Sequence, residues 1–250
     1  MRIRTLVVPA YIAAIAGAEA IGVLIGVVPG VVCHAVLVPA LLSHYALVEQ
    51  AVYRRALPAL ALAPLLRILS LTMPVRAAPQ IYWYAMIGVP LLVAVALTAR
   101  LLDLSSASLG LRSPSWLPQI LIAISGLPLS IVGFLILRPK PLIAGFDWRE
   151  VAIGSVILIV FTGFTEEIVF RGVLQQATQE LYGRASVLCS GAVFAMMYVG
   201  SLSVGYVLFI GLAGLFFGWS VNRTRSIWGA AVAHGVLNIG MALIWPFVWR

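Results

Sequence analysis

The chain has 250 residues, of which 62% are hydrophobic and 10% are charged, whereas about 25% of the residues in an ordinary soluble domain are charged. This composition excludes a soluble globular protein and predicts a multi-pass integral membrane protein, which we expect in the cell membrane. The net charge of +8 does not indicate nucleic-acid binding, because the 16 basic residues lie singly or in pairs between apolar runs.

Apolar segments of bilayer-spanning length follow one another along the whole chain. A helix needs about 20 apolar residues to cross the hydrocarbon core of a membrane. We predict spans near residues 6–28, 31–53, 81–99, 117–137, 150–170, 186–200, 204–222 and 226–249. The sequence therefore predicts an all-α fold, in which residues 1–250 form a single integral membrane domain: a transmembrane helical bundle of eight or nine spans around a polar cavity.

The segment 56–73 is ambiguous, because Pro58, Pro64 and Arg67 interrupt it. It can be a kinked span, a re-entrant segment or an interfacial helix. If it spans and the N-terminus is cytoplasmic, the basic residues at the cytoplasmic end or edge are Arg2, Arg4, Arg54, Arg55, Arg100, Arg112, Arg171, Arg184, Arg223 and Arg225. The opposite end then holds Arg76, Arg138, Lys140, Arg149 and Arg250. This ten-to-five bias follows the positive-inside rule and favours the nine-span arrangement; without the ninth span, the better-biased orientation puts Arg171 and Arg184 outside.

The first two predicted spans contain four polar residues at membrane depth, namely Glu19, His34, His44 and Glu49. Such residues are costly in a bilayer and can line a cavity or a proton path. No spacing unites them, so mutual pairing or an interfacial position is the preferred interpretation.

Glycines recur every fourth residue in two places, and this spacing predicts close helix packing. The first series lies in the N-terminal spans and the second in the span near 204–222. Their members are Gly22, Gly26 and Gly30, and then Gly214 and Gly218.

The polar residues in the second half of the chain have helical spacing. Glu167 and Arg171 are four residues apart and can pair on one helix face. Glu166 is rotated by about 100° from Glu167 and can point elsewhere. His234 and Asn238 are also four apart, on the last span.

In the nine-span arrangement, Glu166 lies about one turn from the charged edge at Arg171 and in the same half of the bilayer as His234, so Glu166 and His234 can converge. Alternatively, His234 and Asn238 hydrogen-bond to neighbouring helices and Glu167–Arg171 is a buried structural pair.

Together, three motifs resemble the signature of the CAAX protease and bacteriocin-processing membrane family, which includes type II CAAX prenyl endopeptidases. They are Glu166-Glu167-x-x-x-Arg171, Phe194-x-x-x-Tyr198 and His234-x-x-x-Asn238. The resemblance covers about residues 100–245 and leaves residues 1–99 without a specific match.

The resemblance implies a glutamic intramembrane endopeptidase without a cofactor. The residue matching Glu166 activates a water, the residues matching His234 and Asn238 contribute to the water and oxyanion site, and Glu167, Arg171 and Phe194 support them. The implied substrate is a membrane-associated peptide or protein, either prenylated or bearing a leader, in the lipid bilayer.

The second motif departs from the family, which has a histidine where this chain has Tyr198. A phenol donates a hydrogen bond but is a poor base at neutral pH. Either Tyr198 is a catalytic oxyanion donor in an active site, or the site has decayed and the protein binds membrane peptides or acts as a scaffold. A histidine from another helix, His34 or His44, can also take the missing role.

Other intramembrane chemistries fit the sequence less well. The chain has no His-Glu-x-x-His motif. Zinc sites usually have three protein ligands, so His234 and the two glutamates would be a minimal ligand set for zinc. We therefore disfavour zinc. A membrane transporter is the remaining alternative, for which Pro58 and Pro64 are signs of a broken helix.

Overall fold

The computed structural model describes residues 6–73, 78–112 and 115–249, and this part of the chain is helical without strands. It contains nine helices that are long and apolar enough to cross a membrane, which confirms the predicted polytopic bundle. They are α1 (Val7–Leu24), α2 (Val27–Leu47), α3 (Ala51–Thr72), α4 (Gln80–Leu101), α5 (Trp116–Leu137), α6 (Trp148–Ala177), α7 (Gln179–Ser201), α8 (Val204–Thr224) and α9 (Trp228–Val248).

The ambiguous segment 56–73 belongs to α3, a continuous helix of 22 residues that holds Pro58 and Pro64 in its interior. The two prolines are buried among alanines and leucines, and neither breaks the helix. The predicted span 31–53 was wrong at its C-terminal end, because α2 ends at Leu47 and residues 48–50 separate it from α3. The described chain thus has the nine candidate spans of the preferred arrangement.

Arg171 is the exception to the predicted charge distribution. It was placed at a membrane edge, but its side chain is fully buried inside the bundle. The reason is that α6 does not end near residue 170 but continues to Ala177, and Arg171 pairs with a buried carboxylate one turn earlier. Arg2, Arg4, Arg76 and Arg250 lie outside the described residues.

The first glycine series marks the crossing of α1 and α2. A Cβ atom on Gly30 would lie 2.6 Å from Cα of Gly22, so the predicted close packing is confirmed for these two residues. Gly26 does not continue the series, because it has a φ of +147° and forms the turn between the two helices. The prediction of one uninterrupted series was therefore wrong.

The close approach of α6 and α9 positions the polar residues. A Cβ atom on Gly163 would lie 2.4 Å from the carbonyl oxygen of Ala231 and 2.8 Å from the backbone nitrogen of Gly235. The two backbones therefore touch at these glycines. Glu166 is one turn after Gly163, and His234 immediately precedes Gly235, so this contact brings the first and third motifs together.

Replacing Gly163 by alanine is expected to lower the free energy of unfolding by about 1–3 kcal/mol, because the added methyl group overlaps the backbone of α9. Denaturant unfolding in mixed micelles measures this change. Gly17→Ala is the matched control, since a Cβ atom on Gly17 meets no heavy atom within 4 Å. Equal stability of the two variants would show that the contact between the helices is not tight.

Candidate active site

The helix that carries the first motif is distorted on both sides of Glu166. Residues Ile159–Phe164 and Ile168–Leu174 form π-helical turns, and only Thr165–Glu167 between them is α-helical. A third π-helical turn, Gly240–Ile244, follows Asn238 on α9. Such turns are rare and occur often at functional sites. They place the motif residues differently from a regular helix.

Glu167 is the centre of a fully buried polar cluster. Its Oε1 atom accepts a hydrogen bond of 2.9 Å from Nη1 of Arg171, which confirms the predicted pairing. The same oxygen lies 3.0 Å from Nδ1 of His234, a contact that the sequence did not predict. Nη2 of Arg171 donates to the carbonyl oxygen of Gly214 at 2.9 Å. These contacts fix Glu167 in the protein interior and orient the imidazole ring of His234.

Phe194 connects the three motifs. Its ring lies 4.5 Å from the guanidinium carbon of Arg171, within the range of a cation–π interaction. The ring also makes edge contacts with Tyr198 and with His234, at centroid distances of 5.4 Å and 5.6 Å. The predicted supporting position of Phe194 therefore corresponds to contacts with all three motifs.

Glu166 faces a cavity, unlike its neighbour. Its side chain is 19% exposed, whereas that of Glu167 is 0% exposed. Its Oε2 atom accepts a hydrogen bond of 3.2 Å from the hydroxyl of Tyr198. Nε2 of His234 lies 3.9 Å from the same oxygen, too far for a direct hydrogen bond. The imidazole ring of His234 thus stands between the two glutamates.

The cavity has a volume of about 440 Å³ and contains Glu166, Tyr198 and Asn238 in its wall. Nδ2 of Asn238 donates to Oγ1 of Thr162 at 2.9 Å, which orients the amide group. His234 is not among the residues of the cavity wall, and its Nε2 atom lies 3.9 Å from Oε2 of Glu166. The structure thus brings the predicted catalytic residues together, with His234 in a buried position.

Several residues of the cavity wall were missed by the sequence reasoning. They are polar or charged side chains from five different helices or loops: Arg67, Gln80, Tyr84, Lys140, Thr162 and Tyr206. The ring of Tyr206 lies 5.9 Å from that of Tyr198 between centroids, so phenols cluster near Glu166. Only Thr162 has a helical spacing to a motif residue, since it lies four residues before Glu166. The others come from separate helices and a loop and reach the wall through tertiary packing.

The polar residues of the first helices form separate contacts. Glu19 lies 2.9 Å from Nε2 of His34 and accepts a hydrogen bond of 2.8 Å from Nη2 of Arg67, so mutual pairing is confirmed there. Nδ1 of His44 lies 3.1 Å from the hydroxyl of Tyr11, and Glu49 is exposed in the linker after α2. Neither His34 nor His44 belongs to the described wall of the Glu166 cavity. The prediction that one of them takes the role of the missing histidine thus finds no contact in the structure.

Within residues 6–73, 78–112 and 115–249, no group of three or more histidine, cysteine, aspartate or glutamate side chains has the arrangement of a metal site. The polar atoms around Glu166 instead belong to phenols, an amide and an imidazole. These groups donate and accept hydrogen bonds. The arrangement can hold a water or a peptide carbonyl beside a carboxylate.

Comparison with protein families supports this interpretation of the motifs. Residues 148–240 match a family model described as type II CAAX prenyl endopeptidase Rce1-like. The matched segment begins with α6 and reaches into α9, and it holds all three motifs. No curated protein and no solved structure matches the chain. The family predicted from the three motifs is therefore confirmed over residues 148–240, which match the type II CAAX prenyl endopeptidase family.

Proposed function

We propose that this protein is an intramembrane endopeptidase, in which Glu166 activates a water to hydrolyse a peptide bond of a membrane-associated substrate. The observation that carries this proposal is that two adjacent carboxylates have different surroundings. Glu167 is fully buried and bonded to Arg171 and His234, whereas Glu166 faces the cavity. A carboxylate within reach of a bound water can accept its proton as the water attacks a carbonyl carbon.

The residues around Glu166 supply the other requirements of hydrolysis. As the water oxygen bonds to the carbonyl carbon, its proton passes to Glu166 and the carbonyl oxygen becomes an oxyanion. The donors for this oxyanion are the second N–H of the Asn238 amide and the hydroxyl of Tyr198, which turns from Oε2 of Glu166 to the oxyanion as Glu166 takes the proton. Each contributes about 3 kcal/mol. Glu166 then returns the proton to the leaving nitrogen, the C–N bond breaks, and a carboxylic acid and an amine are released. The acid then loses its proton to the amine or to water.

His234 orients the proton that Glu166 has accepted from the water. When Nδ1 of a neutral imidazole donates to the buried carboxylate of Glu167, Nε2 is the acceptor that faces Glu166. The separation of 3.9 Å between Nε2 and Oε2 shortens when a protonated Glu166 turns toward the ring, or is bridged by a water. Glu167 and Arg171 act through His234 and are positioning residues.

The hydrogen bond from Tyr198 to Glu166 also favours one alternative. The phenol occupies an oxygen that a catalytic water would otherwise approach, at 3.2 Å. If this contact persists when substrate binds, the cavity holds a peptide without cleaving it. The alternative function is therefore that of a catalytically impaired family member that binds membrane peptides or acts as a scaffold.

Substitutions of Tyr198 separate the two functions. In proteoliposomes with a membrane-anchored fluorogenic peptide, Tyr198→Phe is expected to lower kcat by about 100-fold, because one oxyanion donor is lost. Tyr198→His is expected to raise kcat, because it adds a group that exchanges protons at neutral pH. Tyr82→Phe is the control, since Tyr82 is exposed on α4 and does not belong to the cavity wall.

If neither the natural chain nor Tyr198→His cleaves the peptide, while both are folded and bind it, the protein is a peptide-binding member of the family. Peptide binding is measured in the same liposomes by fluorescence anisotropy.

A further inference from the structure

We propose that the Glu166 cavity opens to the extracytoplasmic face of the membrane, so that the substrate is a membrane-anchored peptide whose cleavage region is exposed on that face. That the bound peptide is cleaved rests on the proposed endopeptidase function. The direction of the opening does not, because it follows from the fold and the charge distribution alone.

The cavity reaches one end of the bundle. Its wall includes Arg67 and Ser70 from the last turns of α3, Gln80 at the first position of α4, and Lys140 from the loop after α5. Tyr206, in the first turn of α8, belongs to the same wall. Because successive spans cross the bilayer in alternating directions, the end of α3, the start of α4, the end of α5 and the start of α8 lie on one side. The mouth of the cavity is therefore on the side where the odd-numbered helices end.

The bundle is closed on the other side of Glu166. Phe170 and Arg171 are 0% exposed, and Gln175 is 1% exposed. Nη2 of Arg171 and Nε2 of Gln175 donate to the carbonyl oxygens of Gly214 and Gly218, at 2.9 Å and 3.1 Å. The second glycine series thus does more than allow close packing: its carbonyl groups bind α6 to α8. Phe170, Arg171 and Gln175 thus form a closed layer, which separates Glu166 from the end of the bundle where α6 terminates.

Basic residues are concentrated at the closed end. The described arginines there lie next to helix ends and short connections: Arg54, Arg55, Arg100, Arg112, Arg184, Arg223 and Arg225. The described basic residues at the mouth end are fewer. Arg138, Lys140 and Arg149 lie next to helix ends there, and Arg67 lies inside the bundle, where Glu19 neutralises its charge. Lysine and arginine in short loops are retained on the cytoplasmic side of a membrane. The closed end is therefore cytoplasmic and the mouth is extracytoplasmic.

This orientation distinguishes between the two substrate classes that the motifs leave open. A prenylated C-terminus in the cytoplasm would meet the closed layer around Arg171. A leader or another peptide segment that has crossed the membrane would meet the mouth, where Gln80 and Lys140 are exposed. We therefore assign the translocated class of peptide to this cavity.

Cysteine accessibility tests the orientation in a bacterial host that produces the full chain. The two native cysteines are first replaced by alanine, and single cysteines are introduced by Gly145→Cys at the mouth end and Ser106→Cys at the closed end. Both positions are exposed, and a Cβ atom on Gly145 meets no heavy atom within 4 Å. A membrane-impermeant maleimide is expected to label Gly145→Cys in intact cells, and Ser106→Cys only after permeabilisation. The reverse pattern would overturn the inference.

A third cysteine tests the cavity itself. Ser70→Cys in the cavity wall is expected to react with a small impermeant thiosulfonate in intact cells, and Gln80→Cys provides the same readout if the first variant folds poorly. Reaction of these cysteines only after permeabilisation would overturn the inference. The labelling needs no catalysis, so it gives the same pattern with Glu166→Gln. An inactive protein with the expected labels refutes the endopeptidase proposal alone, whereas an active protein with reversed labels refutes the orientation alone.

Discussion

Replacing Glu166 by glutamine is expected to abolish peptide hydrolysis, with a loss in kcat of at least about 100-fold, because general-base catalysis contributes that much or more. Glutamine has the same shape and still accepts the hydrogen bond from Tyr198 through its carbonyl oxygen. It cannot take a proton from water. The assay is release of the fluorogenic product by the full chain in proteoliposomes.

The matched control is Glu180→Gln, which makes the same chemical change at a surface carboxylate that is 49% exposed and pairs with Arg55. This variant is expected to keep the kcat of the natural chain. Undiminished hydrolysis by Glu166→Gln would contradict the assignment of Glu166 as the base. Loss of hydrolysis in both variants would point to a general effect of the substitution on the protein in liposomes.

The length of the apolar runs explains why the fold was predictable from the sequence. Each crossing needs a continuous apolar helix, and charges are tolerated at its ends or inside the protein. That second possibility is where the prediction failed. Arg171 looks like an edge charge because a more polar stretch follows it, but α6 continues for six residues to Ala177. The guanidinium is stabilised in the interior by Glu167, by the Gly214 carbonyl and by the ring of Phe194.

The candidate site was predictable where its residues share a helix. The i, i+4 spacing correctly joined Glu167 to Arg171 and left Glu166 free to face a cavity. The remaining contacts depend on distances between helices, which no spacing within one helix reveals. Contact of His234 with both glutamates requires the backbone approach at Gly163 and Gly235. The positions of Tyr84, Tyr206 and Arg67 in the cavity wall likewise follow from tertiary packing.

Replacing Arg171 by methionine is expected to cause the largest loss of stability, about 3–5 kcal/mol, because the substitution leaves the charge of Glu167 buried without its partner. The side chains of Arg171 and Glu167 are both 0% exposed, so water cannot compensate the carboxylate. The carbonyl oxygen of Gly214 also loses its side-chain donor. Unfolding in mixed micelles with increasing denaturant measures the change.

Arg55→Met is the control for the loss of a positive charge from an ion pair. Arg55 is 43% exposed and its partner Glu180 is 49% exposed, so this substitution is expected to cost less than about 1 kcal/mol. The double variant Glu167→Gln/Arg171→Met removes both buried charges and is expected to be more stable than Arg171→Met alone. If Arg171→Met cost no more than Arg55→Met, Glu167 would not be charged in the folded protein. In that case His234 would not be oriented by a carboxylate, and the proposed control of the proton on Glu166 would fail with it.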